Sequence, residues 1–328
     1  MLRIYLALSL SSLLAGPLIA QEKEEPMKFA LVMHGGAGTI ERSQMTPDKE
    51  KAYIAGMESA LKAGSDILQR GGASLDAVET ALRLLEDNPL FNAGKGAVFS
   101  HEGTNELDSS LMAGKTLDAG AVSGLKHIRN PISLARLVME KSPHVMLYGE
   151  GAEAFAKNMG VPFVDQKYFH TDERWRALQK LKTEPAPISD KDRHGTVGAV
   201  ALDQAGNMAA GTSTGGLTNK RFGRIGDSPI IGAGTYANNR TCAVSCTGDG
   251  EYFIRSGVAR DVAALMEYKG LSVQEAAQAA LDKVGKLGGT GGLIALDGKG
   301  NFAMPFNTSG MYRGWVGADG KVNVEIYQ

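Results

Sequence analysis

Thr196 is the residue of this chain whose position alone could make it a nucleophile. It follows Gly195 at a sharp change of character. Residues 165–193 carry thirteen charged side chains in twenty-nine positions, with Pro185 and Pro187 among them, whereas Val197-Gly-Ala-Val-Ala-Leu202 is a continuous apolar run. Were the Gly195–Thr196 peptide cut, the Thr196 hydroxyl could attack a substrate while its own new α-amine took the proton. An α-amine titrates near ~7.7 to 8.0 and needs little tuning for that task. Gly195 offers the scissile peptide permissive torsions and no side chain, so Thr196 could attack the preceding carbonyl and release itself. Other patterns fail. Gly211-Thr-Ser-Thr-Gly215 has the spacing of a nucleophile elbow, but Thr218-Asn-Lys-Arg-Phe-Gly223 does not read as the helix that should follow, and all six histidines precede Ser213. Gly94-Lys95 lacks the earlier glycine of a phosphate loop, and no histidine pair has metalloprotease spacing.

The elements that must hold Thr196 are legible as apolar runs and periodicities. Phe29-Ala-Leu-Val-Met33 reads as a buried strand feeding the glycine turn His34-Gly-Gly-Ala-Gly38. Pro47 opens a helix to about Gln69 with Ile54, Met57, Leu61 and Leu68 on one side, and Ser74 is expected to cap a second carrying Leu75, Val78, Leu82 and Leu85. Asp118 to Gly124 reads as a strand and Pro131 to Lys141 as a third helix. The charged stretch reads as a tether, with helical spacing only around Trp175 to Leu181. A strand from Gly195 to Leu202 then turns at Asp203 to Asn207 and returns as Met208 to Thr212. A second hairpin, Leu293 to Met304, repeats its Ala-Leu-Asp-x-x-Gly-Asn-x-Ala pattern. Helices from about Gly257 to Tyr268 and Ser272 to Val284 lie between. Helices in pairs and strands in hairpins predict an α+β chain, an antiparallel sheet core covered by helices.

Composition narrows the partner. The chain has 328 residues, 43% of them hydrophobic, and 35 basic against 36 acidic residues give a net charge of -1. No basic field exists to recruit nucleic acid or anionic lipid, so the ligand is expected to be small. Residues 1–20 open with Arg3, run through Ile4-Tyr-Leu-Ala-Leu8 and Leu13-Leu-Ala15, and reach Ala20 before Gln21-Glu-Lys-Glu-Glu25. That is the pattern of a cleaved secretory signal, which implies a periplasmic or secreted protein with no membrane contact after its removal. Cys242 and Cys246, four residues apart on an extended run, would lie about 13 Å apart and could not bridge, so small buried thiols are expected.

Taken together, several blocks resemble the plant-type asparaginase and isoaspartyl peptidase family of N-terminal nucleophile hydrolases. They are His34-Gly-Gly-Ala-Gly38, Leu90-Phe-Asn-Ala-Gly94, His194-Gly-Thr-Val-Gly-Ala-Val-Ala-Leu-Asp203, Gly211-Thr-Ser-Thr-Gly-Gly-Leu-Thr-Asn-Lys220, Gly223-Arg-Ile-Gly-Asp-Ser-Pro229, Gly232-Ala-Gly-Thr-Tyr-Ala-Asn-Asn239 and Pro305-Phe-Asn-Thr-Ser-Gly-Met311. The resemblance implies a four-layer αββα sandwich and autocleavage into an α subunit, residues 21–195 with a charged linker at about 165–194, and a β subunit, residues 196–328. It implies Thr196 as nucleophile, with Thr214 and Thr247 hydrogen-bonding around it. Arg224 would take the substrate α-carboxylate and Asp227 its α-ammonium, while Asn92, Thr247, Gly248 and Gly250 would line the acyl pocket. Backbone carbonyls of Leu85, Glu86, Asn88, Phe91, Ala93 and Lys95 would hold a structural sodium ion, with no cofactor used in catalysis. The assembly implied is a dimer of αβ heterodimers. Asp249 departs from the smaller or uncharged residue expected there.

The implied reaction is hydrolysis of β-aspartyl dipeptides and of the side-chain amide of L-asparagine through a β-aspartyl ester on Thr196. Glycosylasparaginase shares the fold and nucleophile, but that branch usually carries Asp where this chain has Gly195. A noncatalytic exported binding protein using the same glycine-lined pocket is the alternative of another class.

Overall fold

Apolar strands that look featureless in sequence divide cleanly when read with a period of two. In the computed structural model, which describes residues 29–183, 195–317 and 319–328, the first half of the chain forms β1 (Ala30–Gly38), α1 (Pro47–Gln69), α2 (Ser74–Glu86), β2 (Leu107–Ala113), β3 (Ala119–Leu125), α3 (Pro131–Lys141), β4 (Met146–Tyr148), α4 (Gly149–Asn158) and α5 (Asp172–Thr183). The second half forms β5 (Val197–Leu202), β6 (Met208–Thr214), β7 (Thr235–Ala237), β8 (Cys242–Gly248), α6 (Gly250–Ser256), α7 (Val258–Lys269), α8 (Val273–Lys286), β9 (Gly291–Asp297), β10 (Phe302–Ala303), β11 (Gly310–Val316) and β12 (Val322–Tyr327). One sheet has the order β12-β11-β1-β5-β6-β2-β3-β4, antiparallel throughout except between β3 and β4; the other is antiparallel with the order β10-β9-β8-β7.

Alternate residues of each strand enter different cores. Leu31 and Met33 of β1 and Val197, Ala199 and Ala201 of β5 pack with Met57, Leu61, Val78 and Leu82 of α1 and α2. Ala30, Val32, Val200 and Leu202 face Ala243, Ile294 and Leu296 of the second sheet. On that sheet's far side Val244, Cys246, Leu293 and Ala295 pack with Val262, Ala277 and Leu281 of α7 and α8. Three cores separate four layers, the αββα sandwich. Both faces of the central strands are buried, and for that reason their sequences do not alternate polar with apolar.

Two expectations need correction. Ser74 does not cap α2. It is the first helical residue after Ala73, and its amide donates to Asp203 Oδ2 at 3.1 Å, so the cap comes from the β5–β6 turn. The same carboxylate accepts from Ala205 N and Asn207 N, and Asp297 holds the β9–β10 turn in the same way through Lys299 N and Asn301 N, which explains the repeated sequence pattern. Nor are residues 165–183 a tether. Residues 166–168 form a 3-10 turn, and α5 seats Arg174, Leu178 and Leu181 against the body, with Arg174 Nε donating to Gly96 O and Nη2 to Leu90 O. The rest of the expected linker, residues 184–194, and the expected signal, residues 1–20, lie outside the described residues. Cys242 and Cys246 are free and buried in β8. Burial pushes the Cys242 thiol up to about 12 and holds that of Cys246 well above its ordinary value.

Candidate active site

Thr196 lies at the head of β5, a central strand held by β1 on one side and β6 on the other. The antiparallel register places Val197 opposite Ser213, which brings Thr214, the last residue of β6, alongside Thr196. Thr196 Oγ1 donates to Thr214 Oγ1 at 3.1 Å, and Thr214 Oγ1 also accepts from Gly216 N at 3.0 Å. A third hydroxyl, Ser228 Oγ, stands 3.4 Å from Thr196 Oγ1. Sequence reasoning missed Ser228 although it adjoins Asp227 in Gly226-Asp-Ser-Pro229.

Beneath this group a chain of buried polar side chains crosses between the two sheets. Thr235 donates to Thr212, Thr212 Oγ1 lies 2.7 Å from Ser245 Oγ, and Ser245 Oγ lies 2.9 Å from His34 Nε2. His34 Nδ1 lies 3.0 Å from the Thr196 carbonyl oxygen and donates to it. Burial lowers the His34 pKa to about 3, with the bond to Thr196 opposing that shift, so the ring is neutral and Nε2 accepts from Ser245. The other end of the chain is anchored by Ser110 Oγ, which lies within hydrogen-bond distance of both Thr235 Oγ1 and Ser228 O. Backbone positions on both sides of the nucleophile hydroxyl are thereby fixed by one network, and its buried polar groups are satisfied rather than orphaned.

Thr196 opens into a cavity of about 350 Å³ lined by Ala37, Thr214, Arg224, Asp227, Ser228 and Gly248 among others. Arg224 faces Glu251 of α6 in a two-toothed pair, Nε to Oε1 at 2.8 Å and Nη2 to Oε2 at 2.9 Å. Glu251 was not singled out in the sequence, since it lies far along the chain from Arg224. Gly250 makes the arrangement possible: a Cβ there would sit 2.8 Å from Arg224 Nη2 and 3.0 Å from Asp227 Oδ1. Asp227 is buried, and its Oδ2 has no hydrogen-bond partner among the described residues. Burial raises its pKa to about 7 against the opposing pull of Arg224, with Glu251 and Asp249 adding to the rise. The departure at Asp249 therefore bears on the pocket's electrostatics, while its Oδ2 accepts from Thr290 N and Oγ1.

Two other expected residues are placed differently. Thr247 does not bond to Thr196; its Oγ1 accepts from Ala37 N at 3.3 Å, because β8 lies in the opposite sheet and reaches the end of β1 first. Asn92 supports the turn after β6, its Nδ2 donating to Gly216 O and its Oδ1 accepting from Val98 N, and it lines the small cavity behind Gly195 rather than the main pocket. Residues 34–38, expected as a glycine turn, continue β1 past a bulge, and Gly195 packs on them so closely that a Cβ would lie 2.1 Å from Gly36 Cα.

The loop at the C-terminal end of α2, residues 85–95, doubles back tightly. A Cβ on Gly94 would lie 2.2 Å from Glu86 O, and one on Gly96 would lie 2.1 Å from Phe91 O. The carbonyls of Leu85, Asn88 and Ala93 there accept amides from Asn88, Phe91 and Gly96, at a helix C-terminus whose partial negative charge would suit a hard cation. The Lys95 side chain does not interfere, since it turns toward the Tyr168 ring.

An asparaginase family model matches residues 27–326. The isoaspartyl peptidase of Escherichia coli (strain K12) is 52% identical over 310 residues, 92% of this chain and 97% of that protein. The isoaspartyl peptidase/L-asparaginase of Xenopus laevis is 44% identical over 92% of this chain and 96% of that protein, and a probable isoaspartyl peptidase/L-asparaginase 2 of Arabidopsis thaliana is 42% identical over 92% and 99%. The match runs from β1 into β12 and takes in both sheets and every residue that meets at Thr196, so the chain belongs to the asparaginase family.

Proposed function

We propose that this chain is an autoprocessed threonine hydrolase that cleaves β-aspartyl dipeptides and the side-chain amide of L-asparagine. The observation that carries the reading is the meeting of the Thr196 hydroxyl with a half-buried guanidinium and a buried carboxylate in one cavity. In the precursor the Thr196 hydroxyl attacks the Gly195 carbonyl carbon; the acyl group passes from nitrogen to oxygen, which frees the α-amine, and water then hydrolyses the ester to release the hydroxyl and a Gly195 carboxylate. In turnover Arg224 and Asp227 hold the free α-carboxylate and α-ammonium of the aspartyl head. Thr196 Oγ1 then attacks the β-carbonyl, its α-amine receives the proton and passes it to the departing ammonia or amine, and water hydrolyses the β-aspartyl ester to L-aspartate. Thr214 and Ser228 orient the hydroxyl, and the backbone around Gly248 stabilises the developing oxyanion.

The names of the relatives support both activities, and the close fit of Gly195 against Gly36 disfavours the glycosylasparaginase branch, whose Asp would find no room there. Export, from the pattern of residues 1–20, belongs to the same proposal, as do a sodium ion on the carbonyls of Leu85, Glu86, Asn88, Phe91, Ala93 and Lys95 and a dimer of αβ heterodimers. The ion would brace the loop that carries Asn92.

Mass spectrometry of the purified protein tests the reading. Two fragments divided between Gly195 and Thr196 are expected, with the Thr196→Ala variant remaining whole and inactive. An intact wild-type chain would favour the binding protein, and a cleaved, active Thr196→Ala chain would remove Thr196 as nucleophile.

A further inference from the structure

The head-group ligands account for one end of a dipeptide substrate and leave the other unassigned. α6 enters the cavity with three side chains, Glu251, Tyr252 and Arg255. Glu251 is turned to Arg224. Arg255, one helical turn further, makes no ion pair with a carboxylate among the described residues; its guanidinium lies over the Tyr252 ring, 5.4 Å from the centroid. Tyr252 is itself firmly seated, half-buried, with a Cβ on Gly289 falling only 2.6 Å from its ring. The cavity thus has a cation at its mouth, supported on an aromatic face and paired with no carboxylate among the described residues.

We infer that Arg255 and Tyr252 form a subsite for the leaving group of β-aspartyl dipeptides, Arg255 taking the free C-terminal carboxylate and Tyr252 flanking the side chain next to it. This rests on the functional reading above and goes beyond it by naming the second half of the substrate. The spans agree. Residues four apart on a helix have Cβ atoms about 5–6 Å apart, so Arg255 stands one such step from the Glu251 that clasps Arg224. The two carboxylate carbons of an extended β-aspartyl dipeptide are six bonds, roughly 7 Å, apart. A leaving group whose carboxylate is amidated, as in an isoaspartyl bond inside a longer chain, brings no anion to Arg255, and L-asparagine does not reach it. The subsite therefore selects dipeptides with a free C-terminus and leaves amide hydrolysis untouched.

The test compares β-aspartyl-leucine, β-aspartyl-leucinamide and L-asparagine. Wild-type protein is expected to favour the free acid over its amide roughly five- to tenfold in kcat/KM. Arg255→Gln should remove that preference, mainly through KM for the acid, while leaving asparagine turnover unchanged, and Arg255→Lys should restore part of it. Hydrolysis of all three substrates with an acid-to-amide ratio that Arg255→Gln does not move, or an equal loss on all three, would overturn the subsite alone. Hydrolysis of none of them by the wild-type protein would remove the functional reading and the subsite with it.

Discussion

Asp227 must be charged to hold an ammonium, yet burial raises its pKa to about 7. Protonation as pH falls through that value removes the ammonium ligand, and below the α-amine's ordinary range, ~7.7 to 8.0, the base on Thr196 is also lost. The kcat/KM for L-asparagine is therefore expected to fall steeply below about pH 7; a rate profile flat from pH 8 to pH 5 would contradict a head-group role for Asp227. Arg224 and Asp227 were legible because they stand three residues apart inside one family-like block. Glu251, Ser228 and the placement of Thr247 were not, because each depends on how two sheets meet across the site rather than on local spacing.

At the scale of elements, the Asp203 side chain joins three pieces of backbone: the first turn of α2, and Ala205 and Asn207 of the β5–β6 turn. Asp203→Ala orphans all three amides, one of them at a helix N-terminus, and is expected to cost about 2 kcal/mol of stability. Asp203 sits at the opposite end of β5 from Thr196, roughly 20 Å away at ~3.3 Å per residue, so urea denaturation should show the loss while asparagine turnover stays at the wild-type level. A midpoint unchanged from wild type would show that the turn, not the carboxylate, holds α2. α1, α2, α3, α7 and α8 announced themselves by period and by Pro47 and Pro131, whereas α4 and α6 went unread. α2 was misread only in its cap, whose partner is over a hundred residues away. α5 was misread for another reason: Arg174 counted as solvated charge, whereas it seals the carbonyls of Leu90 and Gly96 while Leu178 and Leu181 continue its buried face.

Across the whole molecule, the sequence indicated sheets and covering helices, and the four-layer order came from the family resemblance. Beyond the two hairpins, which strands neighbour one another was not legible, since register between distant segments leaves no local trace. That order matters once the chain is cut. β1, from before Gly195, lies between β11 and β5, both from after it, and β2 pairs with β6. The proposed fragments are interleaved, each completing the other's sheet, and cutting one peptide bond cannot let them drift apart. It does change the order of the folding reaction. A precursor closes its sheet unimolecularly, whereas mature fragments unfolded in urea must meet by collision, so their renaturation should slow and lose yield on dilution while that of Thr196→Ala remains independent of concentration. Concentration-independent recovery of the cut protein would mean that the halves never fully part. Maturation on this view is a one-way step in the molecule's history: the scaffold is assembled once as a tethered chain, and the active enzyme inherits a shape that its separate halves could regain only as a second-order event.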